Sequence, residues 1–327
     1  MDEVSIPAAS TKMNDAQEHS GPRRELITIA TGPRVYMEMA LCLARSVWHW
    51  DPGFRGTFTI ITDAAARLPR DLEGRVRMKV VPAPSGDAGY AVKVNLHDYS
   101  EGQAVLFVDA DSIAIGPVSR IFDALESESF VVFGHTVDSG WWWCDVPQTL
   151  ERFGLGYLPS FYGELYYFRR GDGARKIFEH ARELAARYDA LGFQRLRGRV
   201  NEEAPMAVAL ASAGIKPLPL SAHMMVNPDR DGAILYIDSI GGELVLQRPR
   251  AQSAPVLVHF FASGHNRSAV YMREILRWKL AARGVPSAAA KPIATAQYFV
   301  NRCILSAKLR MGALRERSAN LIGIRHV

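Results

Sequence analysis

An uninterrupted apolar run, Ala104-Val-Leu-Phe-Val108, leads directly into Asp109-Ala110-Asp111. Five consecutive apolar residues indicate a strand that is buried on both faces. Two carboxylates then stand two positions apart, directly after that strand. Ligands bind beyond the carboxyl ends of the strands in parallel sheets, so the sequence predicts a ligand site at this point.

Segments on both sides of this strand repeat the pattern of short strand and helix. We predict further strands at Leu26–Thr31, Thr57–Thr62, Val76–Val81 and Phe130–Phe133, with helices at Val35–Trp48, Ala91–His97 and Pro117–Leu125. This alternation predicts an α/β fold, with a Rossmann-like, mostly parallel sheet flanked by helices.

The second half of the chain is less regular. Residues 138–167 are aromatic and contain glycine, and we interpret them as loops with short strands. Helices are predicted at Asp172–Tyr188, Glu202–Ala213 and Arg267–Arg283, and strands at Ala233–Ile237, Leu244–Gln247 and Val256–Phe261. We therefore expect a disordered arm over 1–24, one domain over 25–284 with halves at 25–133 and 134–284, and a basic helical tail over 285–327.

Composition excludes several classes of protein. The chain has 327 residues, 48% hydrophobic and 22% charged, with a net charge of +5, which is typical of a globular protein rather than a disordered one. Three widely spaced cysteines argue against a disulfide framework or a cysteine-built zinc site. The polar first 25 residues and the lack of a long apolar run predict a cytoplasmic protein. The basic residues are spread out, so we expect no nucleic-acid partner.

The pair Asp109 and Asp111 has two explanations. Aspartate is common in turns at strand ends, which is a sufficient structural reason for it. Two carboxylates so close also repel each other unless a cation lies between them. Mg²⁺ and Mn²⁺ prefer oxygen ligands and accept phosphate oxygens beside them, and the buried strand before the pair favours this second explanation.

The stretch from Lys93 to Ser112 resembles the centre of the glycogenin-like, retaining glycosyltransferases, which have a GT-A fold. In that family a basic residue precedes the D-x-D motif by about sixteen positions, as Lys93 does here. Ile29-Ala-Thr31-Gly32 and Ile60-Ile-Thr-Asp63 are similar to the ends of the first two strands. Val256-Leu-Val-His259 is similar to the late strand whose histidine completes the metal site. The resemblance covers about residues 26–280.

This resemblance implies a metal-dependent transfer of a hexose, from a UDP-sugar or another nucleotide-sugar, with retention of configuration. Residues 25–133 would form the nucleotide-binding half and 134–284 the acceptor-binding half. Mn²⁺ or Mg²⁺ would bind Asp109, Asp111 and His259, although His259 considered alone fits a buried core histidine. The implied donor contacts are Thr31, Gly32, Asp63, Lys93, Asp109, Ala110, Asp111, Gly264 and Arg267.

The chain departs from the family pattern in three places. Phe161-Tyr162-Gly163-Glu164 stands where the family has Asn-Ser-Gly, and His265-Asn266-Arg267 follows where it has a phosphate-binding lysine. The acidic-amide pair of the family is matched only by Asn201-Glu202-Glu203-Ala-Pro, in which Glu202 and Glu203 lie in the first turn of a predicted helix. The helix dipole stabilises acids there. We expect one of the two to be catalytic, by stabilising positive charge on the anomeric carbon.

Two further segments have open interpretations. Trp141-Trp142-Trp143 could hold an acceptor, or could be an apolar patch tucked under its loop. Residues 297–327 carry six basic residues against one acid, with apolar residues at helical spacing. They predict either an interfacial helix at an anionic membrane, where a lipid-linked acceptor would lie, or a terminal helix packed on the domain.

Two other functions fit the motif less well. In phosphatases of the haloacid dehalogenase type, a D-x-D also follows an apolar strand, and Asp109 would be the nucleophile. A catalytically inactive sugar-binding module is the third interpretation. The sequence does not identify the acceptor, which could be a glycan, a lipid-linked sugar or a small molecule.

Overall fold

A computed structural model describes residues 22–83, 89–227, 234–247, 255–260, 269–301 and 303. Gly264, Arg267, most of the arm over 1–24 and residues 304–327 of the tail lie outside the described residues. Among the described residues, no helix has the combination of length and apolar character needed to cross a bilayer.

The described strands and helices are numbered in chain order. The strands are β1 Arg24–Ile29, β2 Thr57–Thr62, β3 Val76–Val80, β4 Ala104–Val108, β5 Ser112–Ala114, β6 Phe130–Val131, β7 Phe133–Val137, β8 Leu158–Phe161, β9 Leu165–Arg169, β10 Leu218–Pro219, β11 Met225–Val226, β12 Ile234–Asp238, β13 Glu243–Leu246 and β14 Leu257–His259. The α-helices are α1 Arg34–Trp50, α2 Leu96–Tyr99, α3 Ser119–Ala124, α4 Val146–Phe153, α5 Asp172–Ala186, α6 Glu203–Ser212 and α7 Ala269–Ala281, and residues 287–301 are also helical. Short 3₁₀ helices lie at Arg70–Leu72, Gly89–Asn95, Asp189–Leu191 and Leu220–Ala222.

The central sheet confirms the predicted α/β fold. Its strand order is β3-β2-β1-β4-β9-β6. Strand β1 pairs in parallel with β2 on one side and β4 on the other, whereas β9 runs antiparallel to β4 and β6. The chain therefore adds β2 and β3 on one side of β1 and then adds β4 on the other side. Parallel sheets bind their ligands at such a change in strand order.

Helices cover both faces of β4, so every residue of this strand is buried. Leu106 and Val108 face a core that includes Leu43 of α1. Val105 and Phe107 face the opposite core, which includes residues of α5 and α6. The period-2 alternation of a strand thus divides one apolar run between two cores, and the run needs no polar residue on either face.

The prediction of loops over 138–167 was wrong at one helix. Asp145 caps the N-terminus of α4, where its Oδ1 accepts a hydrogen bond from the backbone nitrogen of Gln148 at 3.0 Å. Gly154 ends the helix in the left-handed conformation, with φ 63°. Aspartate and glycine are residue types that begin and end helices. The helix between them is short and lies among aromatic residues, so the sequence analysis did not predict it.

A second, three-stranded sheet brings the late strand to the D-x-D motif. Its order is β11-β14-β5, and β5, which the sequence analysis did not predict, begins directly after Asp111. In the antiparallel pairing of β14 with β5, His259 lies opposite Ser112. The backbone nitrogen of Phe260 also donates to the carbonyl oxygen of Asp111 at 2.8 Å. This pairing fixes His259 beside the two aspartates.

Candidate active site

Three parallel strands, β1, β2 and β4, end at the same edge of the central sheet, which we call the carboxyl edge. The backbone nitrogen of Gly32 donates to Asp63 Oδ2 at 2.9 Å, and this bond joins the ends of β1 and β2. Gly32 has a φ of 80°, which only glycine adopts readily. Thr31 is half-buried at the same edge, and Ala110, between the two aspartates, is buried. The edge therefore presents backbone and small side chains from all three strands.

Asp109, Asp111 and His259 form one cluster at this edge. One candidate ligand atom from each lies within 4.8 Å of the others. His259 Nε2 lies 3.0 Å from Asp111 Oδ1 and 3.8 Å from Asp109 Oδ2. The histidine side chain is 3% exposed, whereas the aspartate side chains are 25% and 17% exposed. A cation held here would be accessible from the aspartate side.

The chemistry of this cluster fits a divalent cation. Burial lowers the pKa of His259, but the carboxylates of Asp111 and Glu164 outweigh burial and raise it well above its ordinary value. Burial likewise raises the pKa of Asp109, against the opposing effect of Lys93. Two carboxylates and one imidazole are ligands that suit Mn²⁺, and a bound dication would supply the positive charge that the carboxylates attract.

The other ring nitrogen of His259 contacts a residue that the sequence analysis missed. Nδ1 lies 2.8 Å from Glu164 Oε2, and the side-chain nitrogen of Asn227 donates to the same oxygen at 2.8 Å. All three side chains are buried. Glu164 is a lone acid in the aromatic and apolar stretch Phe161–Phe168. An acid in such a context is the signal that could have identified it.

Lys93 links the metal cluster to the predicted catalytic pair. Its Nζ lies 2.9 Å from Asp109 Oδ1 and 3.0 Å from Glu202 Oε1, and it donates to the carbonyl oxygen of Gly163 at 2.7 Å. An ammonium group has three donors, and these three contacts use all of them. Burial lowers the pKa of Lys93, but Asp109 and Glu202 raise it above its ordinary value. Lys93 is therefore a buried cation shared by two carboxylates.

Glu202 and Glu203 lie where α6 begins, and both carboxyl groups are held in the site. Glu203 Oε1 accepts from the backbone nitrogen of Gly163 at 2.8 Å, and Oε2 accepts from Trp143 Nε1 at 2.5 Å. Burial and the neighbouring Glu202 raise the pKa of Glu203 to about 7. Burial also raises the pKa of Glu202, although Lys93 opposes the shift.

Gly163 is the backbone element that holds these groups together. Its nitrogen binds Glu203 and its carbonyl oxygen binds Lys93. A Cβ atom at this position would lie 2.3 Å from Glu202 Oε1 and 3.2 Å from the Tyr166 hydroxyl. Only glycine lets the chain pass this close to the carboxylate.

The three tryptophans have three different surroundings. Trp141 is 64% exposed, and its Nε1 donates to Gln194 Oε1 at 2.9 Å. Trp142 packs against Phe161, with ring centroids 5.8 Å apart. Trp143, with a φ of 51°, directs its Nε1 to Glu203. The structure therefore brings one tryptophan to the carboxylate pair and leaves another facing solvent.

Tyr162 is a second exposed aromatic residue near this cluster, at 45% exposure, and the sequence analysis did not propose it as a site residue. It precedes Gly163, the residue that anchors Glu203. Trp141 and Tyr162 are thus both exposed, and each lies within two residues of a group that donates a hydrogen bond to the Glu203 carboxylate. Exposed aromatic surface of this kind is typical of a binding site.

The fold is similar to that of solved glycosyltransferases. No protein-family model and no curated protein sequence matches this chain. An active-site mutant of LgtC is 14% identical over 80% of this chain and 95% of its own, with a TM-score of 0.50. The galactosyltransferase LgtC in complex with donor and acceptor sugar analogues is 15% identical over the same shares, with a TM-score of 0.47. The likeness to the first structure shows that this chain has the GT-A fold of LgtC.

Proposed function

We propose that this protein is a metal-dependent glycosyltransferase that moves a hexose from a nucleotide-sugar, most simply a UDP-sugar, to an acceptor with retention of configuration. The observation that carries the proposal is the position of Lys93. It is in contact with both Asp109 of the D-x-D motif and Glu202 of the predicted catalytic pair. A cation-binding cluster and a carboxylate pair thus form one continuous site, as group transfer from a diphosphate requires. The glycogenin-like resemblance supports retention.

The donor is expected to bind along the carboxyl edge. Mn²⁺ or Mg²⁺ on Asp109, Asp111 and His259 would neutralise the charge that develops on the departing nucleotide diphosphate. The ends of β1 and β2, joined by Gly32 and Asp63, offer backbone groups for the nucleotide. Thr31 and Ala110 lie at the same edge. Roles for Gly264 and Arg267 follow from the family resemblance alone.

The carboxylate pair has the properties needed at the anomeric carbon. Charge that develops in a water-poor site is stabilised most by groups already held in place. Glu203 is held by two hydrogen bonds and Glu202 by Lys93, so neither must reorganise as positive charge builds on the sugar. Burial raises the pKa of Glu202, and Lys93, which is shared with Asp109, opposes that shift and so favours the charged carboxylate.

The acceptor is expected beside the exposed aromatic residues. Aromatic rings stack on the C–H faces of sugars, and Trp141 and Tyr162 present such faces to solvent. Trp143 instead positions Glu203 through its indole nitrogen. Trp142 packs on Phe161 and so anchors the loop that carries the three tryptophans. We infer a sugar-bearing acceptor, either free or linked to a lipid.

Membrane contact is a separate part of the proposal. On the helix at 287–301, the side chains of Ile293, Phe299 and Val300 are exposed. The basic residues of the tail follow this helix in sequence. Apolar and basic groups together favour binding to an anionic bilayer surface, where a lipid-linked acceptor would lie.

The test is incubation with a panel of nucleotide-sugars, with Mn²⁺ or with EDTA. We expect nucleotide release with one of these sugars, its loss in EDTA, and its loss in Asp111→Asn. NMR of the product would then show whether the anomeric configuration is retained. Phosphate release from phosphoesters would instead support the phosphatase interpretation. A folded protein that binds a nucleotide-sugar without cleaving it would support the inactive binding module.

A further inference from the structure

We propose that Glu164 is a positioning residue that fixes which nitrogen of His259 faces the metal cluster, and so sets the affinity for the cation. This inference rests on the proposed function, because it concerns the cation expected on Asp109, Asp111 and His259. It adds a residue that neither the D-x-D motif nor the family resemblance identifies.

The hydrogen bonds around Glu164 determine which nitrogen of His259 keeps its proton when a cation binds. Nδ1 of His259 and the side-chain nitrogen of Asn227 both lie 2.8 Å from Glu164 Oε2. The amide nitrogen of asparagine can only donate, and a carboxylate oxygen can accept two hydrogen bonds. The Asn227 nitrogen also lies 3.2 Å from Nδ1 itself. An ionised Oε2 can only accept, so its 2.8 Å contact with Nδ1 requires a proton on Nδ1, and both nitrogens donate to Oε2. Nδ1 of His259 then carries a proton, and Nε2 is the nitrogen left for a cation.

The backbone holds Glu164 in register with the metal cluster. Its carbonyl oxygen accepts from the backbone nitrogen of Asp109 at 3.0 Å, which extends the pairing of β4 with β9. His259 reaches the same place from the other side through β14, which pairs with β5. The carboxylate therefore lies directly behind the histidine ring because two different sheets bring the residues together.

The surroundings of the Glu164 side chain keep it in this orientation. The side chain is 3% exposed, and its Oε1 lies 3.8 Å from Nδ1 of His223. The His223 ring stacks on Phe133 at 4.4 Å between centroids. A carboxylate enclosed in this way orients a ligating histidine and increases its basicity as a ligand. Loss of such a partner typically weakens metal binding by about 10–100-fold.

The experiment measures the affinity for Mn²⁺ alone, from the EPR signal of the free ion, in the full-length protein. Glu164→Leu removes the acceptor, and we expect about 10–100-fold weaker binding. Glu164→Gln keeps one acceptor oxygen, so we expect an affinity nearer to wild type. Glu25→Gln is the matched control, because Glu25 is also a buried carboxylate but lies at the opposite end of β1.

The outcomes separate this inference from the proposed function. If wild type binds Mn²⁺ and Glu164→Leu binds it equally well, the role of Glu164 is refuted while the metal site stands. If wild type binds no Mn²⁺, the metal site and this inference both fail. Should Glu164→Leu not fold, ¹⁵N NMR of wild type with Mg²⁺ decides, since we expect the proton of His259 on Nδ1. A proton on Nε2 would overturn the proposal.

Discussion

The carboxyl group of Glu203 should make the stability of the metal-free protein depend on pH. Burial and Glu202 raise its pKa from the ordinary 4.5 to about 7 in the folded chain. An unfolded chain has the ordinary value. Between these two pH values the folded protein keeps a proton that the unfolded chain has released. The free energy of unfolding therefore falls as pH rises from about 4.5 to about 7.

The size of this effect follows from the two pKa values. One pKa unit corresponds to about 1.4 kcal/mol, so the shift from 4.5 to about 7 costs about 3 kcal/mol once pH exceeds 7. Glu203→Gln removes the titrating group. Between pH 4 and pH 8, wild type should therefore lose about 3 kcal/mol of unfolding free energy that the variant does not lose.

A second effect of the same substitution does not depend on pH. Both oxygens of Glu203 accept hydrogen bonds, from Gly163 and Trp143, and the amide nitrogen of glutamine must face one of these donors. That mismatch costs about 1–3 kcal/mol at every pH. The diagnostic quantity is therefore the pH dependence of the difference, not its value at one pH.

The assay is urea unfolding in EDTA, followed by tryptophan fluorescence at intervals from pH 4 to pH 8. Glu183→Gln, on an exposed position of α5, controls for the removal of one negative charge. Parallel pH profiles for wild type and Glu203→Gln would contradict a raised pKa of Glu203 in the folded protein. They would mean that the hydrogen bonds from Gly163 and Trp143 compensate fully for burial.

Three further predictions concern other parts of the molecule. Lys93→Met should lower the free energy of unfolding by about 3–5 kcal/mol, because it leaves the buried carboxylate of Glu202 and the partly buried one of Asp109 without their shared cation. A loss below about 1 kcal/mol in urea unfolding would contradict that pairing. Gly163→Ala should lower turnover by about 10²-fold or more, since its Cβ would displace the Glu202 carboxylate. Normal turnover in this variant would show that the position of Glu202 is unimportant. The intact protein should float with anionic vesicles at low salt and detach at about 1 M salt, owing to the basic residues within 304–327. Flotation that does not depend on salt or on anionic lipid would contradict the electrostatic part of that prediction.

Elements with strong local signals could be predicted from the sequence. The bounds of β4 and β2 were predicted as the structure has them, because each strand is an uninterrupted run of apolar or β-branched residues that ends at an aspartate. Strand β5 has three residues, and it exists because β14 pairs with it. Such a strand depends on a partner more than 100 residues away, so no local pattern reveals it.

The same distinction applies to the site. The D-x-D motif is contiguous and follows a buried strand, so its chemistry could be inferred locally. His259 entered through the family resemblance, and the structure places it beside both aspartates. Glu164 and His259 are 95 residues apart, and their contact depends on the pairing of two sheets. The contact of Trp143 with Glu203, over 60 residues, has a similar origin. Neither pair has a spacing that sequence reasoning could use.

We propose that Asp109, Asp111 and His259 hold the cation of a nucleotide-sugar transferase. The most direct measurement is anomalous diffraction at the manganese edge, from crystals grown with Mn²⁺ and UDP. We predict one strong peak in contact with all three side chains, with diphosphate oxygens beside it. A peak elsewhere, or bound UDP with no manganese between its phosphates and these residues, would contradict this metal site.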